Sequence, residues 1–213
     1  MKSLLCLRGQ PIVNWVAQRL SHSRLLDEVI FAIPDTPLDD ALAEHLKDTG
    51  QICVRGPEED VLARFALAAR SSQAETIVRV CADNPLVWGE AIDRLVRFFE
   101  EKKPDYAYNH IPRGNLWPDG LGAEICSRGL LEEIAAQAVA KSQREHVFNY
   151  LWDNAADVDM ATFDPAESWL RRPELTLDVD SPQDFARLAL APLSPQSGAR
   201  EIVDAFVRQP AGA

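Results

Sequence analysis

A short β-branched run that ends in a proline turn constrains this chain more than any other feature. Ile77-Val78-Arg79-Val80 has the make-up of a buried strand. Asp83-Asn84-Pro85 stops it, because Asn favours a turn and proline has no N–H to continue a ladder. The pattern recurs. The apolar run Val29 to Ile33 ends at Pro34-Asp35-Thr36-Pro37, and Gln51 to Val54 ends at Arg55-Gly56-Pro57. Between these runs lie stretches with helical spacing: 12–20, 38–47, 59–71 and 89–101, the last with Ile92, Leu95, Val96 and Phe99 on one face. Alternating strands and helices imply βαβ units, and so an α/β fold with a mostly parallel central sheet flanked by helices. In such a sheet, ligands collect outside the carboxyl ends of the strands, where Asp83 stands. A plainer role for Asp83, capping the helix that starts near Gly89, stays open.

The second half continues the alternation. Tyr106 to Asn109 reads as a strand end, Glu124 to Ser127 as extended, and residues 128–140 and 144–154 as helices. Met160 to Phe163 and Leu175 to Val179 read as late strands. Ser181 or Asp180 caps the next helix, with Pro182 at its first position. The division expected is a main domain over residues 1–192 and a C-terminal helix and tail over 193–213, the helix running from Arg200 to Arg208.

A length of 213 residues suits one sizeable α/β domain. The formal net charge of −11 argues against nucleic acid or an anionic membrane surface as partner, while leaving room for an anionic small substrate. Cys6, Cys53, Cys81 and Cys126 stand far apart with no CxxC pair, which suits reduced thiols in a cytoplasmic protein. No apolar run approaches transmembrane length, and the first residues do not form a signal peptide.

Asp83 and Asp180 each follow a strand pattern and precede a proline turn. Two carboxylates at neighbouring strand ends make an Mg²⁺ site when a triphosphate supplies the remaining oxygens. Asp178 is an alternative to Asp180, although it lies inside the strand pattern. Arg144-Glu145-His146 is either a solvated helix turn or part of a substrate site. Trp117-Pro118-Asp119-Gly120-Leu121-Gly122 with Glu124 is either a turn before a surface strand or a substrate loop. Arg171-Arg172-Pro173 is an exposed basic pair or a neutraliser of an anion.

Taken in order, these segments resemble the cytidylyltransferases of the SpsF type and, more distantly, the synthetases of CMP-activated sugar acids. The matching stretches are RGQPIVNWVAQRL, DEVIFAIPDTPLDD, RGPEEDVLARF, IVRVCADNPLV, YNHIPRGNLWPDGLGAEICS, REHVFNYLW and RRPELTLDVDSPQDF. The resemblance implies a Rossmann-like nucleotide-diphospho-sugar transferase fold. The activity it implies is transfer of CMP from CTP to a sugar or sugar-like acid with release of pyrophosphate, using Mg²⁺, in surface polysaccharide or glycan biosynthesis. It makes Asp83 and Asp180 the metal-binding pair. Arg79 and Asn84, beside Asp83, together with Asn109, Asp119, Gly120, Glu124, Arg144, Glu145 and His146, fall to substrate placement. A homodimer is also implied, with Trp117 and the stretch from Tyr106 to Leu121 as the loosest candidates for its contact.

Two departures go with the resemblance. Members of the family begin with a strand and a basic loop of the form A-R-x-x-S-x-R-L-P-x-K, whereas here Met1-Lys2-Ser3 comes just before the RGQP helix. Lys2 matches that signature's final lysine and is expected among the catalytic groups. The rest of the loop and one central strand are expected to be missing. A late start site, a trimmed sequence and a true loss of the loop are all open readings, and the last implies a catalytically inactive homologue that binds a partner or a sugar nucleotide. In the last motif, Thr176 and Asp178 stand where Arg and Thr are expected, adding a carboxylate.

Overall fold

The computed structural model describes residues 2–207. A two-strand hairpin, β1 (Cys6–Leu7) and β2 (Gln10–Pro11), turns through Arg8 and Gly9, which carry φ of 48° and 92°. It runs into α1 (Ile12–Leu20), whose Trp15 indole N–H donates to the Leu7 carbonyl at 2.9 Å. Next, β3 (Ile30–Pro34) and β4 (Ile52–Gly56) pair in parallel, joined through α2 (Asp40–Asp48). Asp60 caps α3 (Val61–Ser71) by accepting from the Ala63 amide.

A mixed sheet follows. β5 (Thr76–Arg79) pairs antiparallel with β7 (Glu124–Ser127), β7 antiparallel with β6 (Tyr106–Tyr108), and β6 parallel with β8 (Met160–Thr162). The ladders are therefore not the mostly parallel set that the alternation implied. The loop over residues 109–123 folds back on itself, so β7 runs against both of its neighbours. Parallel pairing is left to β3 with β4 and β6 with β8, which are joined through helices. Among the described residues β3 pairs only with β4 and β5 only with β7. A cleft of about 580 Å³ lies between them, lined by residues 30–34 and 78–83.

Helices cover the sheets. α4 (Gly89–Lys102) presents Ile92, Leu95 and Val96 to the main core, beside Trp15, Trp117 and Ile125. A second cluster gathers Leu62, Tyr106, Tyr108, Cys126, Ile134 and Phe148 under α5 (Arg128–Gln137). The expected helix over 144–154 is instead two short ones, α6 (Lys141–Glu145) and α7 (Asn149–Asp153). His146 takes an extended backbone, φ −116° and ψ 109°, which ends α6, and Val147 and Phe148 beyond it are both buried. Leu175 to Val179 is not a strand in a ladder. Its one bridge pairs Thr176 with Asp119, because its amides serve loop carbonyls instead.

Ser181 caps α8 (Pro182–Leu190) in a reciprocal box with Asp184. In α9 (Ala199–Val207), Ile202, Val203 and Phe206 are buried in the main core, so this helix packs back; Arg208 and the tail after it lie outside the described residues. Trp117 is fully buried and its indole N–H donates to the Phe163 carbonyl at 2.8 Å, which withdraws it as a dimer contact. Among the described residues no helix is long and apolar enough to cross a membrane.

Candidate active site

Main-chain bonds bring three loops to one place. The Asp119 amide donates to the Leu175 carbonyl at 2.9 Å, and the Leu177 amide returns to the Asp119 carbonyl at 3.0 Å. The Val179 amide donates to the Asp83 carbonyl at 2.9 Å. Gly120 sits at a φ of 89°, and a Cβ there would lie 3.0 Å from the Asp178 nitrogen, so only glycine lets the loop lie this close. Carboxylates of Asp83, Asp119, Asp178 and Asp180 therefore gather within reach of one another's charge, and Asp83 lines the cleft.

One ammonium holds two of them. Lys2 Nζ lies 3.0 Å from Asp83 Oδ2 and 3.4 Å from Asp180 Oδ1, and it also donates to the Val179 carbonyl. Burial works against this ammonium, but the hydrogen bonds and charges of Asp83 and then Asp180 outweigh it and raise its pKa. The other two carboxyls lean toward the neutral form. Burial, then the Asp178, Asp180 and Asp83 charges, push Asp119 up to about 6. Burial, then the charge and hydrogen bond of Asp180, push Asp178 up to about 6, and Asp178 Oδ1 is buried without a hydrogen-bond partner.

Behind this corner lies a buried polar cluster. Glu124 on β7 is 3 % exposed and accepts from Arg79 Nη1 on β5 and from the Tyr106 hydroxyl, at 2.5 Å, on β6. His110 Nε2 stands 3.8 Å from the same carboxylate. Burial alone would raise the Glu124 pKa; the Arg79 guanidinium, then His110 and Tyr106, outweigh it and hold the carboxylate ionised. Desolvation lowers the His110 pKa, against the opposing pull of the Glu124 charge. Glu124 thus has no free oxygen face toward solvent, and it bears on the site through Arg79, whose residue lines the cleft.

The expected site residues divide into two groups. Lys2, Asp83, Asp119, Gly120 and Asp180 come together, Arg79 and Glu124 stand behind them, and Glu145 lines the same cleft as Lys2 and Asp83. Of the others, Asn109, Asn84 and Arg144 are engaged within the fold. Asn109 is fully buried, its amide donating to the Ala91 carbonyl and its oxygen accepting from the Ala123 amide, both at 2.9 Å. Asn84 is buried within the turn that follows Cys81. Arg144 is bound by Asp60 Oδ2, at 2.9 Å from its Nε and 2.5 Å from its Nη2, and ties α6 to the cap of α3. His146 lies exposed past the end of α6. Tyr106 and His110 carry no motif spacing that singles them out; the β6–β7 pairing brings Tyr106 to Glu124, and His110 reaches it from the loop just after β6.

The donor set suits a hard divalent cation. Two carboxylates already share a positive group, and all the donors are oxygen. Among the described residues no cluster of three or more His, Cys, Asp or Glu side chains is arranged to hold a metal by itself, so further ligands have to come from a substrate or water.

Comparison with known proteins adds a family. Residues 1–184 match the family model described as Cytidylyltransferase. The chain is similar to an uncharacterized protein of Methanocaldococcus jannaschii, MJ1063, at 33% identity over 184 residues, covering 86% of this chain and 73% of that one. It is also similar to the spore coat polysaccharide biosynthesis protein SpsF of Bacillus subtilis, at 28% identity over 204 residues, covering 93% of this chain and 82% of that one. Its fold is that of a cytidylyltransferase from Leptospira borgpetersenii, with a TM-score of 0.86 at 22% identity over 97% of this chain and 87% of that one.

Proposed function

The chain belongs to the cytidylyltransferase family, and on that premise we propose that it transfers CMP from CTP to a sugar-acid-like acceptor with release of pyrophosphate. The observation that carries this reading is the convergence of Asp83 and Asp180 on one positive group beside an open cleft. In the reaction, an acceptor oxygen forms a bond to the α-phosphorus as the bond to the bridging oxygen of pyrophosphate breaks in line. Asp83 and Asp180 are the residues to hold Mg²⁺, with the phosphates completing its shell. When bound, that ion supplies charge that offsets the negative charge of the triphosphate. Lys2 is near enough to the same corner to donate to a phosphate oxygen, and its flexible stem allows the reach.

Arg79, held by Glu124, places a guanidinium of fixed position on the cleft wall. The loop with Asp119 and Gly120 closes the acceptor side. The SpsF relative is named for spore coat polysaccharide biosynthesis, which supports a role in making surface glycans. A cytoplasmic location is part of the same reading.

Pyrophosphate release with CTP, Mg²⁺ and a panel of sugar acids tests it. Turnover with one acid, lost about 10²–10³-fold in Asp83→Asn, is the expected result. Binding of CTP without turnover on any acceptor favours a catalytically silent homologue instead.

A further inference from the structure

We infer that Lys2 is a resident counter-cation of the Asp83–Asp180 pair, which a divalent metal must displace before it can bind. The inference rests on the proposed metal reading of those two carboxylates. Lys2 Nζ makes three contacts there, to Asp83 Oδ2, to Asp180 Oδ1 and to the Val179 carbonyl. An ammonium placed between two carboxylates fills the position that an ion bridging them needs, and two cations a few ångström apart repel.

Lys2 is free to leave. Its side chain is 40 % exposed and sits on a 3-10 helix of one turn, Lys2–Leu4, so four rotatable bonds can carry the ammonium away without moving the fold. Nothing else among the described residues supplies Asp83 or Asp180 with a side-chain ion pair. With Lys2 in place the pair is a weak metal site. A triphosphate that draws the ammonium onto its own oxygens opens the pair to the metal at the same moment. Nucleotide and metal then enter together, and the metal does not bind tightly beforehand.

Mn²⁺ binding to the full chain without nucleotide, followed by loss of the free-ion electron paramagnetic resonance signal, tests this. Lys2→Met is expected to tighten Mn²⁺ binding roughly three- to tenfold, the scale of two half-exposed ion pairs. Lys102→Met makes the same change in net charge at an exposed site paired with Glu101, and is expected to leave Mn²⁺ affinity as in the wild type. Adding Asp83→Asn to Lys2→Met is expected to remove the gain. Equal affinity in the wild type and Lys2→Met, with Asp83→Asn weakening both, overturns the counter-cation role while leaving the metal site standing. Mn²⁺ binding indifferent to Asp83→Asn overturns the metal reading itself. A gain of the same size in Lys102→Met attributes the effect to overall charge and also overturns the role of Lys2.

Discussion

The Val179 amide donates to the Asp83 carbonyl at 2.9 Å, so the segment that carries Asp180 is fixed against the turn that carries Asp83 by backbone alone. The two carboxylates meet without depending on their own side chains for placement. Asp180→Asn is therefore expected to leave unfolding free energy within about 0.5 kcal/mol of the wild type, because its side chain is 72 % exposed. Urea denaturation checks this. A loss of several kcal/mol would make Asp180 a structural residue.

Glu124 and Arg79 behave in the opposite way. Their side chains are 4 % and 19 % exposed, and truncating one leaves the other charge buried and unpaired. Glu124→Leu is expected to cost about 3–5 kcal/mol in urea unfolding, and adding Arg79→Met should recover much of it. Independent, additive costs would contradict a mutually compensating pair.

Stability should carry a signature of Asp119 across mildly acidic pH. Its folded pKa is raised from 3.8 to about 6, mainly by burial and then by the Asp178 charge. A raised acid contributes stability that is fully present below its unfolded pKa and is lost as pH rises through its folded pKa. The melting temperature of the wild type, taken relative to Asp119→Asn, is expected to fall between about pH 3 and pH 7, the interval from below the unfolded value to above the folded one. A flat difference over that range would contradict the shift.

Much of this fold is legible in sequence because its signals are local. Apolar spacing marks α1, α3, α4 and α9, and Ser181-Pro182 announces the start of α8. The breaks come where a distant partner decides. The alternation in Leu175 to Val179 matches a strand, yet its amides go to the carbonyls of Asp83 and Asp119 in two other loops. Arg144 reads as a substrate group from its neighbours Glu145 and His146, but Asp60, far back in the chain, takes its guanidinium. Asp83 and Asp180 are legible as a pair because each stands where a strand pattern meets a proline. Arg79 and Glu124 carry no signal of their pairing, since it depends on the antiparallel register that the alternation did not foretell.

Gly120 and Gly9 separate backbone conformation from close packing. Both have φ near +90°, but a Cβ at Gly120 would press on Asp178 and Leu177, while one at Gly9 meets nothing within 4 Å. Gly9→Ala is expected to cost about 1 kcal/mol for the left-handed backbone. Gly120→Ala is expected to cost about 1–3 kcal/mol and to shift the Asp178–Asp180 segment, raising the KM for CTP. Equal costs in thermal denaturation would deny the packing role.

Calorimetric titration of CTP in the presence of Mg²⁺, on the wild type, Asp83→Asn, Asp180→Asn and the double variant, tests the central claim most directly. If both carboxylates hold the same metal-bound triphosphate, each single change weakens CTP binding about tenfold or more and the double change adds little further. Unchanged affinity in either single variant, or losses that simply add in the double, would contradict it.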